Sequence, residues 1–270
     1  NTRRCAVLLL SGAAFLGTAP RLAATTNDVI GSYANWPTNW VALNALNDPD
    51  DGVSPQLDFV GDTTNPGAYY AFNSEYVFFR QRVQAGTFSD SHFVLIDLVG
   101  QDYNTTTKTL QSGSDGYPDY GFAWDSRSND PAKHGLEMMV RSTTATYWNG
   151  VNMDDIDLDA GKKLTNDINA DSRTTDGYVR VIDQQSTAAF GNTTFIDYAV
   201  KWSYLQTYTG LTSNQSWRVA FASIANATDH NNLSSDVSGG ASPASLTTSG
   251  WTPVYSSPTS SGIDLRAYQG

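Results

Sequence analysis

Glu75–Val83 reads EYVFFRQRV, and the alternation of its side chains decides the fold. In an extended strand Tyr76, Phe78, Arg80 and Arg82 fall on one side, and Val77, Phe79, Gln81 and Val83 on the other. Aromatic and β-branched residues at period two mark a strand, and an apolar first half on both sides predicts a central one. Runs of the same kind recur along the chain: SHFVLIDLVG (91–100), YGFAWD (120–125), GLEMMV (135–140), GYVRVID (177–183), TTFIDYAVKW (193–202) and SWRVAFASIA (216–225).

Working outward, Ala68–Phe72 (AYYAF), Glu75–Val83 and Ser91–Val99 read as a meander, with Asn73-Ser74 as a tight connection between the first two. LDFVGD (57–62) reads as a short strand before the turn Asn65-Pro66-Gly67. Gln101–Asp119 reads as a polar loop, and Thr143–Trp148 and Trp251–Tyr255 as further strands. Two places suggest helix. Trp36, Trp40, Leu43 and Leu46 recur at helical spacing, with Thr38 or Asn39 available as a cap, which predicts a short helix or turn. Lys201–Tyr208 reads as one helical turn or two. Residues 149–176 are the most acidic and least regular. About eight to ten short strands with intervening loops predict an all-β protein, a single antiparallel β-sandwich of jelly-roll or immunoglobulin-like type with one or two short helices and long loops. The domain is expected over 25–255, with a C-terminal tail over 256–270.

Composition agrees. With 270 residues and 40% hydrophobic content the chain can bury a substantial core. Its formal charge of −11 argues against nucleic acid as a partner. The acid is 25 Asp and only 2 Glu, Glu75 and Glu137; Asp favours turns and caps where Glu favours helices, as a protein of strands and loops requires. Cys5 is the only cysteine, so no intramolecular disulfide or cysteine metal site can form.

Residues 1–24 admit two readings. Arg3 and Arg4 ahead of the apolar run Cys5–Gly17, with Leu22-Ala23-Ala24 as a cleavage site, have the form of a secretory leader, too short to span a bilayer. Its removal would leave no membrane span and a charge of −14, since Arg3, Arg4 and Arg21 go with it. Alternatively the run is retained, and Val7, Leu8, Leu9, Leu10, Phe15 and Leu16 form the contact of a strand donated to a neighbouring subunit.

Chemistry is sparsely written. No GxSxG is present, and His92, His134 and His230 have no motif around them and read as surface or hydrogen-bonding histidines. Glu75 and Glu137 are the sole glutamates for an acid–base pair, but each stands where a solvated or paired carboxylate is expected. Asp155, Asp157 and Asp159 fall on one side of an extended segment and would repel one another unless solvated or bridged by a hard cation, which makes calcium the one cofactor to consider. Asn47–Gly52 and Asp167-Asn169-Asp171 are weaker candidates of the same kind. Trp124, Trp148, Trp202, Trp217 and Trp251 could stack on sugars, although most lie inside strand runs where core packing is the commoner fate. Five sequons, at Asn104, Asn192, Asn214, Asn226 and Asn232, match the N-glycosylation pattern.

The succession FVGD–TTNPGAYYAF–EYVFFRQRV, YGFAWDSRSNDPAKHGLEMMV, TTFIDYAVKWSYL and WRVAFASIAN resembles secreted bacterial surface proteins whose domain is similar to family 9 carbohydrate-binding modules and DOMON domains. The resemblance covers about residues 55–228 and is a pattern of strands rather than a signature of residues. It implies a β-sandwich and sugar or haem binding, with no site residue of those families matched. The expectation is a secreted, non-catalytic structural protein that assembles with copies of itself into a bacterial surface fibre, sheath or layer. The alternative is a module that binds polysaccharide through an aromatic face.

Overall fold

The EYVFFRQRV run is the strand Tyr76–Gln84, paired on both sides, and its two faces divide as the alternation requires. Val77, Phe79 and Val83 enter the main core, while Tyr76 and Phe78 enter a separate cluster on the opposite face. The computed structural model describes residues 26–43, 48, 54–84, 90–104, 106–107, 109–113, 116–125, 135–141, 147–148, 151–155, 176–209, 215–225, 235–237 and 263–264. In chain order the strands are β1 (Thr26–Ile30), β2 (Val41–Ala42), β3 (Ala68–Phe72), β4 (Tyr76–Gln84), β5 (Ser91–Leu98), β6 (Gln101–Asn104), β7 (Thr109–Ser112) and β8 (Tyr120–Asp125). They continue as β9 (Gly135–Arg141), β10 (Tyr147–Trp148), β11 (Val151–Asp155), β12 (Gly177–Thr187), β13 (Gly191–Lys201), β14 (Ser216–Ile224), β15 (Asp236–Val237) and β16 (Ile263–Asp264), with one helix, α1 (Trp202–Thr209), after β13.

Two antiparallel sheets face each other. The six-stranded sheet runs β1-β12-β13-β4-β3-β2, and the larger one β10-β11-β9-β8-β5-β14-β15 with β16 also on β14. Alternate residues of both meet in the middle: Phe79 of β4 lies 6.0 Å from Phe122 of β8 and 6.4 Å from Trp217 of β14, ring centre to ring centre. All three rings are fully buried, and aromatic layers of this kind dominate the energetics of a sandwich core. Gln81 also points inward, and its amide nitrogen donates to the Tyr198 hydroxyl at 2.7 Å, which satisfies the donor half of that buried amide. The antiparallel all-β sandwich expected from the runs is the observed architecture. At Gly121 a Cβ would stand 2.4 Å from the Val94 carbonyl oxygen, so β5 and β8 approach as they do only because that position carries no side chain.

Each end of the sandwich is closed by chain. At the start of β4, α1 lays Trp202 on Phe72 (5.4 Å, stacked) and against Trp217 (5.7 Å), and buries Tyr204 and Leu205. At the other end a strap, residues 56–61, spans both sheets. Phe59 bridges to Val83, the Val60 amide donates to the Arg82 carbonyl, and the Ser223 hydroxyl of β14 donates to the Leu57 carbonyl.

Several expectations are corrected. The meander breaks after β4, which pairs with β13, while β5 crosses to the other sheet between β8 and β14. LDFVGD forms isolated bridges rather than a strand. The polar loop 101–119 contains the β6–β7 hairpin, turned by Asn104, whose Oδ1 accepts from the Thr106 and Thr107 amides. The acidic stretch opens with β11, paired to β9. No helix forms over residues 31–43: Pro37 disfavours helical dihedrals at Trp36, and Trp36 and Trp40 instead each cover an arginine of the six-stranded sheet. The helical reading at 201–208 matches α1 closely.

Candidate functional site

Mid-strand charges on a covered face are the feature to explain. Register on the outer face of the six-stranded sheet sets Tyr69 (β3), Arg80 (β4), Asp197 (β13), Arg180 (β12) and Asp28 (β1) in one row. Asp197 is fully buried and takes Arg80 through two contacts, Nε to Oδ1 at 2.6 Å and Nη2 to Oδ2 at 2.8 Å. Its Oδ2 also accepts from Arg180 Nε at 2.8 Å. The two arginine side chains keep only 14% and 15% exposure, so the triad is a shielded one, in which a carboxylate between two forks satisfies its own burial.

The shield is aromatic. Residues 31–40 connect β1 at one edge of the sheet to β2 at the other, and so cross the whole outer face. Five strand spacings come to about 24 Å, within the roughly 33 Å that ten extended residues cover. Gly31, at φ 62°, starts the crossing, a left-handed turn that glycine adopts without strain. Tyr33 then reaches Tyr178 (5.0 Å) and Tyr76 (4.9 Å), and Trp36 covers the Arg180 guanidinium at 4.4 Å. Trp40 covers that of Arg80 at 4.2 Å. The spacing of the two tryptophans therefore places each over one arm of the Asp197 triad. It is a belt, not a helix.

Beyond the belt, the Phe195 ring is approached by Arg80 at 4.5 Å and Arg82 at 4.2 Å, which extends the cation–π contacts along the face. Arg82 is 5% exposed, and its Nη1 donates to the Thr193 hydroxyl at 2.9 Å and its Nε to the Pro66 carbonyl. Burial lowers its pKa, opposed by the Tyr69 hydroxyl and more weakly by the charge of Asp62. Asp62 is itself held below the usual carboxylate range by the amides of the Asn65 turn. Burial raises the Tyr76 hydroxyl, with Tyr178 adding to the shift.

The residues singled out by sequence are scattered. Asp155 ends β11 opposite Met139, while Asp157 and Asp159 lie outside the described residues, as do Val7, Leu8, Leu9, Leu10, Phe15 and Leu16, and also His134 and His230. Among the described residues no group of three or more His, Cys, Asp or Glu could hold a metal ion. Glu75 is an exposed carboxylate 3.5 Å from Lys201 Nζ, and Glu137 of β9 pairs with Ala123 of β8. His92 is not on the surface: it is fully buried, stacked on Trp124 at 5.7 Å, with Nε2 2.8 Å from the Gln56 carbonyl oxygen of the strap. Burial holds its pKa down to about 4. Trp124 and Trp217 are core residues. Sequence reasoning put Arg80 on one side of its strand with Tyr76, Phe78 and Arg82 but did not find Asp197, Arg180 or the belt. The available signal was a charge at an outward mid-strand position in each of β4, β12 and β13.

No protein-family model matches this chain, and no curated protein and no solved structure is significantly similar to it. The described face engages its guanidinium edges on one carboxylate and their planes on indole and phenyl rings. Among the described residues no helix is long and apolar enough to cross a membrane.

Proposed function

We propose that this chain is a non-catalytic, secreted structural protein that assembles with copies of itself into a bacterial surface fibre, sheath or layer. The observation that carries the reading is the position of β1. It is an edge strand, paired only with β12 among the described residues, with Thr26, Asn27 and Asp28 exposed. The apolar run 6–16 precedes it by nine residues, so a segment entering the fold there is delivered at a sheet margin, where a neighbouring copy can be reached. The resemblance of the strand runs to those of secreted surface β-sandwich proteins is in keeping with the same reading. Deleting residues 1–25 should convert assemblies seen by electron microscopy into monomers by light scattering; fibres unchanged by the deletion would remove donation by that run.

A second reading has its own observation. Tyr33, Trp36, Trp40 and Tyr69 are all partly exposed on one face beside Arg80 and Arg180, and such rings with flanking donors suit polysaccharide. A polysaccharide pull-down separates the two: retention that is lost in Trp36→Ala and Trp40→Ala favours the module, and no retention favours the scaffold.

A further inference from the structure

We infer that the belt, residues 26–42, is the segment that copies of this chain exchange, each laying its own across the outer face of the next. The inference rests on the self-assembly reading above and changes which part of the chain performs it.

Four observations converge. First, the segment is continuous and self-contained: β1, the crossing residues and β2 together supply both margins and the outer cover of a sheet whose remaining four strands, β12, β13, β4 and β3, stay paired without it. Second, residues 31–40 form no backbone hydrogen bond with the sheet among the described residues. The crossing is held by the Tyr33, Trp36 and Trp40 rings and by the Asn73 amide donating to the Tyr33 hydroxyl at 3.3 Å. Third, the contact is made of Trp, Tyr and Arg, the residue types that concentrate binding energy where separate chains meet. The inner core instead joins Phe, Val, Ile and Leu with its aromatic residues. Fourth, the tether is short. The Leu43 amide still donates to the Ala68 carbonyl of β3 at 2.9 Å, and Asp48 is fixed to Gly61 by two backbone hydrogen bonds of 3.0 Å, which leaves only 44–47 in sequence between those two anchors. Short connections favour exchange over closure when a second acceptor is near. Reciprocal exchange gives a closed dimer, and head-to-tail exchange an open fibre.

Register supplies the test. Thr26 of β1 lies opposite Ile182 of β12, close enough for a cross-strand disulfide. In a Cys5→Ser background, chains carrying Thr26→Cys are assembled with chains carrying Ile182→Cys, then oxidised; Thr26→Cys with Ser74→Cys, an exposed position away from β1 in the sheet order, serves as the collision control. Exchange predicts covalent heterodimers well above that control. It also predicts that the double variant Thr26→Cys/Ile182→Cys, oxidised as a dilute monomer, stays monomeric on concentration and assembles once reduced. Heterodimers at the control level, or a stapled chain that assembles as freely as the reduced one, would overturn the inference. Deletion of residues 1–25 separates it from the reading beneath it. Loss of assembly on deletion, with the stapled chain unimpeded, returns the donor role to the apolar run. Assembly that survives deletion and is stopped by the staple assigns it to the belt. Monomers under every condition would sink both.

Discussion

Phe78 and Phe79 are neighbours in β4, both fully buried, and their surroundings differ in kind. Phe79 faces the opposing sheet and meets Phe122 and Trp217, side chains held on strands that are hydrogen-bonded on both sides. Phe78 faces outward and meets Tyr33, Trp36 and Trp40, rings on a segment with no backbone hydrogen bonds to the sheet among the described residues. Equal burial thus conceals unequal rigidity. A cavity beneath a belt can be filled by the belt settling inward, whereas one between two sheets persists because the strands cannot follow.

Truncation of the two phenylalanines is the sharpest way to break that comparison. Phe79→Ala is expected to cost about 4 kcal/mol in chemical denaturation, from lost burial plus a retained cavity. Phe78→Ala should cost measurably less, about 2 kcal/mol, with the difference recovered as belt movement. Equal losses would show that the outer cover is as stiff as the core. Next in size is Asp197→Ala, which strands Arg80 and Arg180 beneath indole rings without a carboxylate and should cost about 3 kcal/mol. A loss below about 1 kcal/mol would place the triad among surface ion pairs.

How much of this was legible follows the same division. The row Val77, Phe79 and Val83 was readable as one side of a strand because period two is a local property of nine residues, while which side faces the second sheet was not. The partner of β4 was not, because nothing local to a strand names the strand it will pair with, and the meander reading placed β5 beside it. The site fared worse. Asp197 lies 117 residues from Arg80 and 17 from Arg180, and only the assembled sheet brings them into a row. Trp36 and Trp40 misled for a physical reason: a four-residue interval aligns two rings on a helix, and also aligns them over two arginines when the chain crosses strands obliquely. Pro37, which disfavours helical dihedrals at Trp36, weighed against a helix that includes both rings. His92 was readable as a hydrogen-bonding residue but not as a buried one, since its acceptor, the Gln56 carbonyl, belongs to the strap.

That histidine extends the comparison from faces to ends. The strap end relies on a titratable ring, whereas α1 closes the other end with Trp202, Tyr204 and Leu205. With its carbonyl acceptor at 2.8 Å, Nε2 carries the proton and donates it to Gln56. Since burial lowers the pKa from 6.5 to about 4 in the folded chain, the neutral ring's stabilising contribution is whole above pH 6.5 and is lost as pH falls toward 4. The loss should approach about 3 kcal/mol at the acid end of that window. Denaturation midpoints measured from pH 8 to 4 for the natural chain and for His92→Gln would check it, the variant lacking this component of the slope. Parallel curves would mean that protonation is absorbed without opening the strap.

The smallest effect probes the belt contact directly. Trp36 meets the Arg180 guanidinium at 4.4 Å, and because Arg180 also binds Asp197, truncating either side chain alone confuses ring contact with ion pairing. A double-mutant cycle with Trp36→Leu and Arg180→Met removes that confusion. The coupling should be about 1 kcal/mol, as expected for a partly shielded cation–π pair. If the belt were simply greasy cover, leucine would serve as well as tryptophan and the coupling would vanish. A finite coupling shows instead that Trp36 reads the charge beneath it, which a segment must do if it is to find the same face on another copy.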